Sequence, residues 1–413
     1  MDVILCAEYS CVIQRMKTAH FIAIVVVTVT SRIVTAAELP VPKFRAVDID
    51  TKVGIGYGVA VADVDGDKKP DILLVDKDVV AWYQNPTWEK HIMAEKLTEK
   101  DHVCIAAADI DGDGKAEVAV GAEWNPGDTL NSGAVFYLIP PKDRTQKWEP
   151  VKLPNEPTVH RMRWVKDWQG RMTLVVAPLH GRGNKDGEGA GVKIQRYVPP
   201  ANPRDPWQIL LINDSLHKTH NFDPVQWDDD PAQELLIASK EGLFLSNWSE
   251  SENKLTLTRL GTNDIGGAGE IRLGKLGNGK RFIATVEPMH GNTLAIYTAP
   301  EGGGPEALWK RQVLDDSLVD GHALACGDLL GIGHDQIVVG WRAMNKPKDV
   351  KVGIKLFTPL DANGRQWGQT LVDDNTMACE DLTLADFNGD GKLDIVASGR
   401  ATKNLKVYFN ESR

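Results

Sequence analysis

Cysteine is scarce, five in 413 residues, and two of these fall within the first eleven positions, so no disulfide framework holds the chain together. Cys104, Cys326 and Cys379 are expected as buried thiols, with a Cys326–Cys379 bridge left open. A basic excess is also missing: 47 Lys and Arg stand against 57 Asp and Glu, a net charge of −10. This balance argues against a nucleic-acid partner, which needs a cationic face. There is no phosphate-cradling glycine loop, no GxSxG elbow and no catalytic-cysteine signature. No paired carboxylates stand at a recognisable spacing, which places a hydrolase behind other readings. Long apolar runs are absent too. The run from Phe21 to Val29 is too short for a stable membrane span. With Met16 and Lys17 before it and Thr35, Ala36 and Ala37 after it, it reads as a secretory signal cleaved near Ala37. Residues 1–15 read as an upstream start extension, and residues 38–413 as one exported domain, periplasmic or extracellular, and monomeric or weakly oligomeric.

What the chain does have is one loop spelled three times: DVDGDKKPD from Asp63, DIDGDGKAE from Asp109 and DFNGDGKLD from Asp386. Oxygen-bearing side chains occupy positions 1, 3, 5 and 9: Asp63, Asp65, Asp67 and Asp71; Asp109, Asp111, Asp113 and Glu117; Asp386, Asn388, Asp390 and Asp394. A glycine at position 4 permits the tight turn, and the oxygen-rich set suits a hard cation such as Ca2+. Each loop lies between two apolar runs of strand character, where an EF-hand would have helices. A carboxylate cluster in a hairpin is costly without a cation, so three bound ions are expected to brace three hairpins.

Reading outward from the loops exposes seven copies of one unit, anchored near Asp63, Asp109, Lys166, Gln226, Lys275, Asp328 and Asp386, at a mean spacing of about 54 residues. Each copy has four apolar runs. The fourth usually opens with tryptophan: Trp88, Trp148, Trp207, Trp309 and Trp367, a recurrence that marks packing. Only six fourth runs follow an anchor, and KFRAVDI from Lys43 supplies the seventh ahead of the first. The expectation is an all-β, seven-bladed β-propeller of four-stranded antiparallel blades, its ring closed by an N-terminal outer strand. An open β-solenoid is the alternative.

The segments ADVDGDKKPDILL, ADIDGDGKAEVAVG and ADFNGDGKLDIVASG resemble FG-GAP and VCBS repeats, the calcium-loop units of propellers in integrin heads and secreted bacterial proteins. The resemblance implies bound calcium in those three blades. Blade six keeps the framework but has Leu330 and Ile332 at ligand positions, and blades three to five are read as lacking the ligand set.

In a propeller the start of each inner strand faces the channel mouth opposite these loops. Counting back from the anchors puts Tyr57, His102, His160, His220, Gly269 or Glu270, His322 and Glu380 there. The ends of the second strands add Trp124, His180, His290, Trp341, Arg342 and Arg400. Imidazoles grouped in a polar funnel suit a transition metal such as Zn2+ or acid–base catalysis, whereas any one of them alone suits a structural hydrogen bond. Trp124 and Trp341 could stack on a sugar ring or pack between blades.

The motifs HRMRW, PLHGR, HKTHNFDP, EPMHGN, DGHALACGD and GWR are similar to the propeller domain of aldos-2-ulose dehydratase lyases of the anhydrofructose pathway. The chain has no room for the cupin-type domains of the two-domain fungal enzyme. The resemblance implies a carbohydrate substrate, a keto sugar of the 1,5-anhydrofructose or aldos-2-ulose type, dehydrated by α-proton removal and β-elimination. In that reading His102, His160, His220 and His322 include the acid or base, Arg342 or Arg400 or a His-bound metal stabilises the oxyanion, and Tyr57 donates a proton. Trp124, His180, His290, Trp341 and Glu380 would hold substrate. A polysaccharide lyase would use nearly the same groups, and a non-catalytic module binding a glycan or protein would use the same face.

Overall fold

Strand alternation and turn glycines organise the chain as the repeat predicts. The computed structural model describes residues 39–249, 254–262, 264–304 and 307–413, so the expected signal at residues 1–37 lies outside the described residues. Pro40 to Arg413 form one compact unit of seven four-stranded antiparallel sheets. Blade one is Gly58–Ala62, Asp71–Val75, Val79–Gln84 and Glu89–Glu95 from inside to outside. The inner strands of the others are Cys104–Ala108, Val159–Lys166, Thr219–Val225, Glu270–Lys275, Gly321–Gly327 and Cys379–Ala385. Each packs beside the inner strands of both neighbours, the seventh against the first, so the ring is closed around a channel.

Blade seven is built from both ends of the sequence. Phe44–Asp50 pairs antiparallel with Asn404–Asn410, matching Phe44 to Asn410 and Val47 to Val407. Lys43 N–H donates to Ser412 Oγ and Val41 N–H to the carbonyl of Arg413. This closure leaves no open sheet edge between first and last blade.

The burial pattern follows strand position. Second strands such as Asp71–Val75 and Gln336–Trp341 are buried throughout, because both sheet faces are covered by neighbouring blades. Outer strands such as Glu149–Leu153 alternate toward solvent. The tryptophans that open them plug their own turns: Trp148, Trp207 and Trp367 donate Nε1–H to the carbonyls of Arg144, Pro203 and Gly364. The three cysteines are free thiols, so the bridge left open by the sequence does not form. Among the described residues no helix is long and apolar enough to cross a membrane.

Four inner strands carry a β-bulge at their first turn. Pairing skips one residue between Val159 and Arg161, Thr219 and Asn221, Gly321 and Ala323, and Cys379 and Asp381. The skipped residues are His160, His220, His322 and Glu380. The inner strands of blades one, two and five pair without interruption.

Candidate functional site: a histidine cluster on bulged strands

A bulge releases one residue from the ladder and re-aims its side chain. Here it turns three imidazoles and a carboxylate into the channel mouth. Each bulged histidine is then fixed by the next blade. His160 Nδ1 donates to the carbonyl of His220, His220 Nδ1 to that of Gly269, and His322 Nδ1 to that of Glu380. A carbonyl only accepts, so Nδ1 carries the proton and Nε2 keeps its lone pair. His290, from the loop after the second strand of blade five, completes the group. The rings of His220 and His290 lie 4.4 Å apart, those of His220 and His322 5.4 Å, and those of His290 and His322 4.7 Å. His160 lies 4.6 Å from His220 and stacks on Trp124 at 4.9 Å.

The donor set fits a metal. One nitrogen from each of His220, His290 and His322 falls within 4.8 Å of the others. His290 Nε2 and His220 Nε2 face each other at 2.5 Å, and two such nitrogens need a proton or a cation between them. Burial holds His220, His290 and His322 below the ordinary histidine range, helped by neighbouring imidazoles and by Arg161 and Arg342. The neutral form that results is the one that ligates.

Beside the imidazoles lies a charged clamp. Glu380, 2 % exposed, accepts from Arg342 Nη1 and Arg400 Nη1 through Oε1, each at 2.7 Å. Its Oε2 is buried without a partner, leaving one strong acceptor free at the mouth. Arg342 also pairs with Asp320 at 3.0 Å and reaches His290 Nδ1 at 3.3 Å. Arg400 lies over the Tyr57 ring, whose hydroxyl donates to Asp101 at 2.8 Å. Burial, and then Asp101, push the Tyr57 phenol well above its usual range, so it is a protonated donor at neutral pH.

Three expected mouth residues are placed elsewhere. His102 lies two residues ahead of the unbulged inner strand Cys104–Ala108, is fully buried, and takes Leu97 N–H on Nε2; it makes no ring contact with the clustered imidazoles. His180 bridges Lys218 in strand fashion beside Thr158 at the blade three–four junction and makes no ring contact with the clustered imidazoles. Trp341 belongs to a hydrophobic core, with Nε1–H donated to the carbonyl of Lys351 and Lys355 over its ring. Its indole packs between strands and is not a sugar platform. Trp124 keeps the position expected of it.

Of the residues beneath the cluster, the sequence reading named Glu270, as the alternative to Gly269, and passed over Arg161 and Asn221. Arg161 reaches His160 Nε2 at 3.0 Å and Glu270 at 3.7 Å. Asn221 donates to Glu270 at 2.5 Å, and Glu270 stands 3.3 Å from His220 Nδ1. Burial alone would raise the Glu270 carboxyl, but His220, Arg161 and Arg272 outweigh it and hold it low. Arg161 and Asn221 directly follow the bulged His160 and His220, and Glu270 opens the unbulged inner strand of blade five. A polar or charged residue at the second inner-strand position was the available signal.

On the opposite face the acidic loops adopt one geometry. In the first, Asp63 takes the N–H groups of Gly66 and Lys68, and buried Asp71 takes those of Val64 and Asn85. Burial pushes Asp71 up to about 7, and Glu117 of the second loop likewise to about 7, with neighbouring loop carboxylates adding to the rise. The third repeats the pattern at Asp386 and Asp394. Blade four requires a correction. Asp228, Asp230 and Glu234 converge as Asp63, Asp65 and Asp71 do, with Gln226 at the first position, so a fourth oxygen-rich loop exists where the ligand set was read as absent. Blade three needs no ion: Arg171 grips Asp167 through Nε and Nη2 at 3.0 and 2.8 Å. In blade six Asp328 holds Ile332 and Gly333 by backbone bonds alone.

Comparison with known proteins agrees with this geometry. A family model described as an FG-GAP-like repeat matches residues 63–120 and one described as an FG-GAP repeat matches 105–138. A model of the aldos-2-ulose dehydratase β-propeller domain matches 132–300. The aldos-2-ulose dehydratase of Phanerodontia chrysosporium is 23% identical over 365 residues, 82% of this chain and 39% of that protein. The chain therefore spans well under half the length of this curated relative. A chain in the crystal structure of a mitotic checkpoint complex superposes with a TM-score of 0.52 at 10% identity, covering 94% of this chain and 98% of its own, a likeness of fold alone. The protein is a seven-bladed propeller that carries FG-GAP repeats and resembles the propeller domain of aldos-2-ulose dehydratase.

Proposed function

We propose that the protein is an exported carbohydrate-active lyase that removes water from a keto sugar at the histidine mouth. The observation that carries this reading is the set of bulged histidines whose Nδ1 atoms are locked by carbonyls, so that basic Nε2 atoms converge beside a free carboxylate oxygen. His220, His290 and His322 would hold a divalent metal such as Zn2+, which when bound supplies Lewis acidity to a substrate carbonyl. His160 stands outside this triad and is the general base for the α-proton. Its Nδ1–H···O bond to the His220 carbonyl fixes the tautomer, and stacking on Trp124 fixes the ring. Burial, Arg161 and His220 hold it well below the ordinary histidine range, so it is unprotonated at neutral pH, and its Nε2 lone pair, which takes an N–H of Arg161 at 3.0 Å, accepts the α-proton once substrate draws that guanidinium onto Glu270. Glu380 Oε2 accepts a substrate hydroxyl, Arg342 and Arg400 offer charge to the developing oxyanion, and Tyr57, its hydroxyl turned from Asp101 to the substrate, protonates the departing hydroxyl, which leaves as water while the α-proton held by His160 returns to the phenolate. The acidic loops, holding Ca2+, brace the far face.

The resemblance to a named dehydratase supports the substrate class, and the buried clamp supports catalysis over simple binding. The test is incubation of the protein with 1,5-anhydrofructose and with glucosone, following enone absorbance in the ultraviolet. Turnover that falls about a hundredfold or more in His160→Ala, with folding intact, is expected. No absorbance with either sugar, together with retained glycan binding, would instead favour a non-catalytic module.

A further inference from the structure

On the face opposite the histidines, loops of blades four, five and six enclose a cavity of about 620 Å³. We propose that it is a binding site for an acidic oligosaccharide, separate from the catalytic mouth. Its walls hold two indoles and four cations. Trp227 and Trp309 lie 5.7 Å apart, and Arg281 covers the Trp227 ring at 4.9 Å. Lys280, Lys310 and Arg365 complete the cationic set, and Glu301 is the one carboxylate among the described lining residues. In a chain of net charge −10 this local excess is unexpected.

None of the four cations forms an ion pair among the described residues, although most buried carboxylates of the fold do have cationic partners. The nearby acids are already engaged. Asp361 takes the backbone N–H groups of Asn363, Arg365 and Gln366. Asp228 and Asp230 accept from Asp230 N–H and Ala232 N–H within their own loop. The amides of the wall are engaged too, and they fix its shape: Asn278 Nδ2 donates to Asn363 Oδ1 across the blade junction, and Gln312 Nε2 to the carbonyl of Arg365. The result is a concave site in which Arg281 is held over Trp227 by the carbonyls of Trp227 and Gln226, while Lys280, Lys310 and Arg365 present their charge beside the half-buried Trp309. Indoles favour the C–H faces of pyranose rings, while guanidinium and ammonium groups favour carboxylates. Together they select a uronate-bearing glycan over a neutral one, and the volume suits a short oligomer.

The site is tested by calorimetric titration of the intact protein with a galacturonic acid trimer, with maltotriose as the neutral control. The expected result is binding of the acidic trimer alone, weakening with added salt. The Lys280→Ala/Arg365→Ala double variant should weaken it about tenfold or more, whereas His160→Ala should leave it unchanged. Equal binding of maltotriose, full displacement by equimolar inorganic sulfate, no binding at all, or loss in His160→Ala but not in the double variant would each overturn the proposal. Because the readout is binding at one face and turnover at the other, failure here leaves the lyase reading standing, and the reverse also holds.

Discussion

At the scale of single residues, the position of a side chain relative to a bulge decides its role. His160 and His102 occupy equivalent places in the repeat, yet only His160 is skipped by strand pairing. His102→Ala is therefore expected to cost stability and leave the turnover of the folded protein nearly unchanged, a contrast with His160→Ala that thermal unfolding and initial rates measure together. Trp341 offers a second contrast. Its burial predicts that Trp341→Ala costs about 3–5 kcal/mol of stability, readable by denaturant unfolding, where a sugar-stacking residue would chiefly raise KM. Asp76 gives a pH-dependent case. Burial tends to raise its carboxyl, but N–H groups of Gly54, Ile55, Gly56 and Lys77 hold it below the ordinary carboxylate value. A lowered folded pKa means that the unfolded chain takes up protons first as pH falls. This strap contributes fully at neutral pH and is lost below about pH 4. Asp76→Ala should cost about 1–3 kcal/mol at pH 7 and flatten the acid limb of the stability profile.

At the scale of elements, the hairpin loops and the bulges differ in what a sequence reveals. The three acidic loops, two spelled DxDGD and one DFNGD, were legible because the oxygen-bearing spacing is written within nine consecutive residues. The loop of blade four was missed because Gln226 breaks the carboxylate spelling while still offering an amide oxygen. A fluorescence-detected calcium titration is expected to find a fourth site that disappears in Asp228→Asn/Glu234→Gln, and chelation should lower the unfolding midpoint, since each ion held at a hundred times its dissociation constant contributes about 2.7 kcal/mol. Bulges were not legible, because they are a relation between two strands and no local pattern records them. Hence counting residues placed His102 and His160 alike, whereas His290 was found from its place at the end of a second strand. Arg161 and Asn221 were passed over because attention stayed on imidazoles, and Glu270 was placed only to within one residue, as the alternative to Gly269.

At the scale of the whole molecule, the number of blades followed from seven regularly spaced anchors, and the mode of closure from the outer strands, six behind their anchors and one ahead. Circular closure then does what no single blade can: it brings His160, His220, His290 and His322 from four blades within ring contact. If closure matters in this way, removal of residues 43–50 should broaden the thermal transition and abolish turnover together, as seen by calorimetry and rate, although no residue of the mouth is touched. That terminal strand also sets a clock. Phe44 leaves the ribosome long before Asn410, its partner, exists, so during synthesis the earliest strand waits unpaired for the last. A messenger truncated late in its reading frame would release a nearly full-length chain with a vacant ladder at the seam, a natural substrate for proteolysis or for pairing with another copy.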